Sequence, residues 1–167
     1  MRISLDTKDG IEISSVEEFM REVKALNANK NNPSAQLFFR GQAVEYWDVV
    51  PSIFRNRLLS IEHSLMSEPL RQVPSEFVHL GGSFEIMEKY QHYGMSTRLL
   101  DVTTNPLVAL YFACEYFDKE EYQDIETKEI EERYPQGIVL FKEEPMALKY
   151  NDFNVKVISG IASYDMI

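Results

Sequence analysis

Two segments, 37–42 and 91–113, set polar side chains inside strongly apolar stretches, and this limits how the chain can fold. The first is Leu37-Phe38-Phe39-Arg40-Gly41-Gln42. The second runs Gln91-His92-Tyr93-Gly94-Met95-Ser96-Thr97-Arg98-Leu99-Leu100-Asp101 and continues as Asn105-Pro106-Leu107-Val108-Ala109-Leu110-Tyr111-Phe112-Ala113. A charged or amide group withdrawn from water must be paired or must hold a ligand, because an uncompensated buried polar group is costly. Each polar residue here therefore reads either as a structural pair or as part of a binding site.

A chain of 167 residues can build one domain with a sizeable core. Its 44% hydrophobic and 26% charged residues are ordinary for a globular protein. No apolar run is long enough to cross a bilayer, and Met1-Arg2-Ile3-Ser4-Leu5-Asp6 lacks the apolar core of a secretion signal. Cys114, the single cysteine, can form no internal disulfide, which points to a reducing, cytoplasmic setting. It also excludes a cysteine-built zinc site, and its apolar neighbours predict a buried, inert thiol. The net charge of −10 argues against broad binding to duplex nucleic acid. Residues 118–132 alone hold eight acids against two lysines.

Local signals predict an α+β fold, a single domain over 1–167 with a small mixed sheet packed by several helices. Ser15-Val16-Glu17-Glu18 reads as a capping box, and Val16, Phe19, Met20, Val23 and Leu26 recur at helical spacing. Leu37-Phe38-Phe39 suits a buried strand, and 47–50 should run extended into Pro51. Residues 57–67 read as weakly helical, and Pro69 and Pro74 should break the chain beyond them. Ser83 to His92 reads as a helix stopped by Gly94. Thr97 to Val102 reads as a short strand or an irregular loop. Asn105 is a good N-cap and Pro106 a good first helical residue. Because 107–117 is apolar nearly all round, it predicts a buried central helix near 106–117. The acidic stretch, 118–134, reads as a solvated helix end and loop. Gly137 to Phe141 is a clear strand, and Asn154 to Ile158 alternates like another.

Arg40 carries five fixed donors suited to phosphate or carboxylate, and Gly41 beside it lets a backbone or ligand come close. It reads as an anion-binding residue or as half of an internal ion pair, with Asp101 a candidate partner. His92, at a helix end, can cap carbonyls, bind a ligand or transfer a proton. Ser96, Thr97, Arg98 and Asp101 form a stitched turn or shape a ligand loop. Arg55 reads as an amphipathic cover over apolar surface. His63 and His79 show no metal spacing with His92, so no metal site is expected. No Walker loop, dinucleotide glycine fingerprint, Gly-x-Ser-x-Gly or His-Glu-x-x-His is present.

Phe39-Arg40-Gly41-Gln42, Pro51-Ser52-Ile53-Phe54-Arg55, Gln91-His92-Tyr93-Gly94, Thr97-Arg98-Leu99-Leu100-Asp101 and 105–113 together resemble the FRG domain, a family named for its Phe-Arg-Gly motif and mostly uncharacterised. The resemblance is clearest over 11–117. Members continue past the strand near Ile138 into a further Arg- and Gln-containing segment. This chain ends at Ile167 without an evident counterpart, as a short member or a fragment would.

A weaker similarity is to ADP-ribosyltransferases, in the order Phe39-Arg40-Gly41, Ser96-Thr97 and Ala109 to Ala113. That likeness implies Arg40 on the phosphates of NAD, Ser96 and Thr97 behind the nicotinamide, and a later glutamate, Glu143 or Glu144, at the ribose. The combined expectation is a pocket for an anionic, nucleotide-like ligand around Arg40 and His92. It would be lined by Gly41, Gln42, Tyr93, Ser96, Thr97, Arg98 and Asp101. His92, Glu143 and Glu144 are the catalytic candidates, NAD is the candidate cofactor, and no membrane partner is expected. The alternative is a non-catalytic sensing or protein-interaction module whose polar motif residues form a structural network. Neither ligand nor protein partner is identified by the residues.

Overall fold

The computed structural model describes residues 10–115, 120–123, 130–133, 135–149 and 151–163. The fold is α+β, with helices α1 (Val16–Ala28), α2 (Ser52–Arg55), α3 (Glu62–Gln72), α4 (Ser83–His92), α5 (Pro106–Ala113) and α6 (Phe153–Gly160). Its strands are β1 (Gln36–Gln42), β2 (Glu120–Gln123), β3 (Ile130–Arg133) and β4 (Ile138–Glu144). The chain divides into two compact units, Met1–Trp47 with Val102–Ala147, and Asp48–Asp101 with Leu148–Ile167.

In the first unit, β1 and β4 pair antiparallel, with Phe39 opposite Phe141 and Gly41 opposite Val139. Phe39 also exchanges both backbone hydrogen bonds with Thr103 on its other edge, at 2.7 and 2.8 Å. Its position opposite Phe141 is therefore the non-hydrogen-bonded kind that alternates along an antiparallel ladder. Leu37, Phe39 and Ala109 form the core, closed by Val23, Leu26 and Val139.

Helix α1 starts where its capping residues require. Ser15 Oγ accepts from the Glu18 amide at 3.1 Å, while the Glu18 carboxylate reaches back to Ser14 instead of Ser15. That bond to the Ser14 amide, with help from its hydroxyl, lowers the Glu18 pKa. Asn105 accepts from the Leu107 amide at 3.0 Å and starts α5 with Pro106 in its first turn.

Helix α5 lies on the strands through bare backbone. A methyl group at Gly41 would come within 1.7 Å of the Ala109 carbonyl oxygen, and one at Gly137 within 1.8 Å of that of Ala113. Ala109 and Ala113 are buried, one helical turn apart. Leu107, Val108, Tyr111 and Phe112 are 40–75% exposed. This corrects the expectation of a helix buried all round: contact this close uses the small residues and turns the large ones outward. Cys114, expected to be buried, is exposed just past the helix end.

The second unit is helical around Met66, Phe77, Met87, Tyr90 and Ala162. The rings of Phe77 and Tyr90 meet edge to face, centroids 5.3 Å apart. Pro69, expected to break the chain, sits inside α3. A proline there removes a ladder donor and crowds the turn before it. The Tyr90 hydroxyl ties α4 to this helix, donating to the Met66 carbonyl at 2.7 Å. Burial of the Tyr90 ring raises its pKa.

Four other expectations are corrected. Asn154–Ile158 is helix α6, because Val155, Ser159 and Ala162 turn inward at helical spacing. With that strand gone, every strand pairing among the described residues is antiparallel, and no mixed sheet forms among them. The acidic stretch, expected to be a helix end and loop, pairs β2 with β3, and the register sets Glu120 across from Arg133. Residues 118–119, 124–129 and 134 of that stretch, and 116–117 of the expected helix, lie outside the described residues. Trp47 closes a turn onto Val44 at 3.3 Å instead of running extended.

Gly41→Ala should destabilise the protein by about 1–3 kcal/mol or more, since the obstacle is helix backbone that cannot rotate away. Gly160→Ala, which meets nothing within 4 Å at the last position of α6, should be near neutral or slightly stabilising. Urea denaturation of the two variants tests the difference.

Candidate functional site

On β1 the side chains alternate. Leu37, Phe39 and Gly41 face the core and α5, so Arg40 stands on the opposite face with Phe38 and Gln42. Arg40 is half-buried, with its Nε shut off from solvent. Leu140 is its register partner on β4. Gln42 is buried, and its amide nitrogen donates to the carbonyls of Val44 at 3.1 Å and Trp47 at 2.9 Å. Gly41 is occupied by the backbone of α5.

The two carboxylates proposed for the ribose lie at the far end of β4, across from Leu37 and Gln36. At strand rise, Glu143 is about 10 Å along β4 from the register partner of Arg40. Its carboxylate accepts from the Asn32 amide at 2.8 Å, the Asn31 amide at 3.1 Å and the Asn31 side chain at 3.3 Å. The Asn32 backbone bond leads the causes that lower its pKa. Glu144 pairs with Lys142 at 3.1 Å.

The second unit holds the rest of the candidate residues. His92 ends α4 and is exposed, as is Tyr93 beside it. Gly94, at φ +78°, turns the chain where other residues would be strained. The amides of Tyr93, Gly94 and Met95 then take the carbonyls of Lys89, Gln91 and Tyr90. The last turn is thus closed by backbone. His92 instead borders an open groove of about 410 Å³ with His79, Leu80, Glu85, Glu88 and Lys89. Two of these side chains are engaged locally. Glu85 accepts from the Gly81 amide, and Lys89 pairs with Glu76 at 3.0 Å while lying 4.9 Å over the Phe77 ring. Arg55, at the end of α2, is exposed.

Thr97 is the centre of the polar loop and is 2% exposed. Its amide donates to Ser52 Oγ at 3.1 Å and its carbonyl accepts from Ile53 at 3.3 Å. Its hydroxyl donates to Gln91 Oε1 at 3.3 Å and accepts from the Leu99 amide at 3.2 Å. Gln91 passes the chain on to the Asp101 carboxylate at 2.6 Å. Ser96 Oγ accepts from Asn56 at 2.8 Å.

Arg98 grips Glu62, its Nε lying 2.6 and 2.7 Å from the two carboxylate oxygens and its Nη2 also in contact. Glu62 is 5% exposed, and its hydrogen bond holds the Arg98 pKa above the usual value. Sequence reasoning missed Glu62 and Ser52. The available signal was a lone acid among Leu58, Leu59, Ile61, Leu65 and Met66. Among the described residues, no group of three or more His, Cys, Asp or Glu could hold a metal ion.

A family model described as FRG domain matches residues 35–122, just over half of the chain. The chain belongs to the FRG domain family. The match takes in β1, α2, α3, α4 and α5 whole, and so crosses both compact units. No curated protein and no solved structure matches. Within this FRG domain, the Phe-Arg-Gly glycine is the seat of α5, and the Thr97–Arg98 portion of the long motif ties α2, α3 and α4 to one loop.

Arg98→Met strands the Glu62 carboxylate and should cost about 3 kcal/mol, the low end for breaking a buried pair because the Arg98 side chain keeps 27% exposure. Adding Glu62→Leu should recover part of that loss in a urea-unfolding cycle. For Glu143, a lowered folded pKa means stability is present above its unfolded value of 4.5 and lost as pH falls through the folded value. Glu143→Gln should therefore show a shallower loss of urea midpoint between about pH 6 and pH 3 than wild type.

Proposed function

We propose that this FRG domain is a non-catalytic interaction module, in which the polar motif residues serve the fold. The observation that carries this reading is the hydrogen-bonded chain from Ser52 through Thr97 and Gln91 to Asp101, with Arg98 held on Glu62. Thr97, the residue best placed by motif order to back a nicotinamide, has its amide, carbonyl and hydroxyl all engaged. Glu143, a candidate ribose-binding carboxylate, holds the turn at Asn31 and Asn32. Bonds of this kind hold both partners between protein groups and fix the local structure, which supports a structural role for these residues.

A second reading keeps a nucleotide-like anion at Arg40, with NAD cleavage as its chemistry. It is favoured by the placement of Arg40 and Gln42 on the face of β1 turned away from α5. One experiment separates the two readings. Purified protein incubated with NAD is expected to release no nicotinamide above the buffer rate, and its Tm is expected not to move with NAD or ADP-ribose. A ligand held at a hundred times its Kd would add about 2.7 kcal/mol, a shift easily read. Nicotinamide release abolished by Arg40→Ala in a folded variant would overturn the module reading. Stabilisation without release would keep the module and place an anion site in it.

A further inference from the structure

The geometry points to the outer face of α5 as the docking surface for a basic amphipathic helix of a partner protein. This rests on the interaction-module reading and names the partner's chemistry. The inner side of α5 is fixed against strand backbone through Gly41 and Gly137. The opposite side carries Leu107, Val108, Tyr111 and Phe112, exposed by 46, 40, 75 and 50%. Leu107 and Tyr111 are one turn apart, as are Val108 and Phe112, and the two rows make ridges with a groove between them. Such ridges and grooves are how one helix receives another. The Tyr111 and Phe112 rings meet edge to face at 5.6 Å, a large aromatic anchor of the type enriched at binding hot spots.

Charge selects the partner. The unit that contains α5 holds eighteen acidic residues against ten basic ones and so carries −8 of the chain's −10. Helix α5 itself has no charged residue, and Glu115 lies just beyond it. A partner with an apolar stripe flanked by Lys and Arg matches both the ridge and the unit's net negative charge, whereas an acidic partner is repelled. A second copy of this chain would bring a further −8 to the same interface.

The test is fluorescence anisotropy of the full chain with three designed peptides of about fifteen residues, long enough to form a helix. They are a Leu/Lys amphipathic helix, its Leu/Glu counterpart and a scrambled Leu/Lys sequence. The Leu/Lys helix is expected to bind, and more weakly as salt is raised. Tyr111→Ser combined with Phe112→Ser should weaken binding about tenfold or more with an unchanged urea midpoint. If that pair unfolds the protein, Leu107→Ser with Val108→Ser takes its place. Equal binding of the Leu/Glu or scrambled peptide, or binding unaffected by the folded variant, would overturn the inference. So would a concentration-dependent dimer that the same substitutions dissolve, since the face would then belong to a second copy. Nicotinamide release in the same preparations would defeat the module reading alone, and loss of peptide preference would defeat this inference alone.

Discussion

The first unit depends on one close approach, a helix that meets bare backbone at Gly41 and Gly137. Gly41 and Gly137 leave room for the carbonyls of Ala109 and Ala113, and the packing near them is set by that spacing. Leu37, Phe39 and Val139 can reach Ala109 only because the helix sits so low. Small residues on the inner side of α5 force its large ones to the other side. The glycine of the family's signature thus acts sterically, while the arginine before it, one position out of phase on the strand, faces the other way.

The second unit solves a different problem, holding short helices together with few long strands of hydrophobic contact. Polar side chains do much of this. Thr97 joins the α2 start to α4, Arg98 joins the same loop to the first turn of α3, and Tyr90 ties α4 to α3 beside Pro69. Buried hydrogen bonds of this kind add modest net stability, but leaving one partner unsatisfied is expensive, so they fix which loop meets which helix.

Much of this fold is legible in the sequence wherever the deciding physics is local. The N-caps Ser15 and Asn105, the Gly94 stop and the β1 and β4 strands arise from caps, turn residues and short apolar runs. The misses have non-local causes. Hydropathy overstates the burial of α5 because it counts apolar residues but not how near a strand backbone will come. Residues 154–158 alternate like a strand, yet the inward positions of this helical segment extend to Ser159 and Ala162, beyond that short window. Pro69 lies inside α3, a helix that the hydroxyl of Tyr90, twenty-one positions later, ties down at Met66. At the site, the motif residues stand out in the sequence, and of their partners only Glu62 carries a local mark, as a lone acid among apolar residues, while Ser52, Asn31 and Asn32 carry none.

The order of the two units along the chain has a consequence for synthesis. The first unit opens with α1 and β1 and is closed by β4 at 138–144, while most of the second is made in between and is closed by α6 at 153–160. Neither unit can finish before its late segment leaves the ribosome. The β1 edge that β4 will cover waits through about a hundred residues of elongation, several seconds at ordinary rates. Such long-range closure is slow, and an uncovered strand edge invites pairing with other chains. Cutting the chain between α2 and β4 would therefore leave both units incomplete at once.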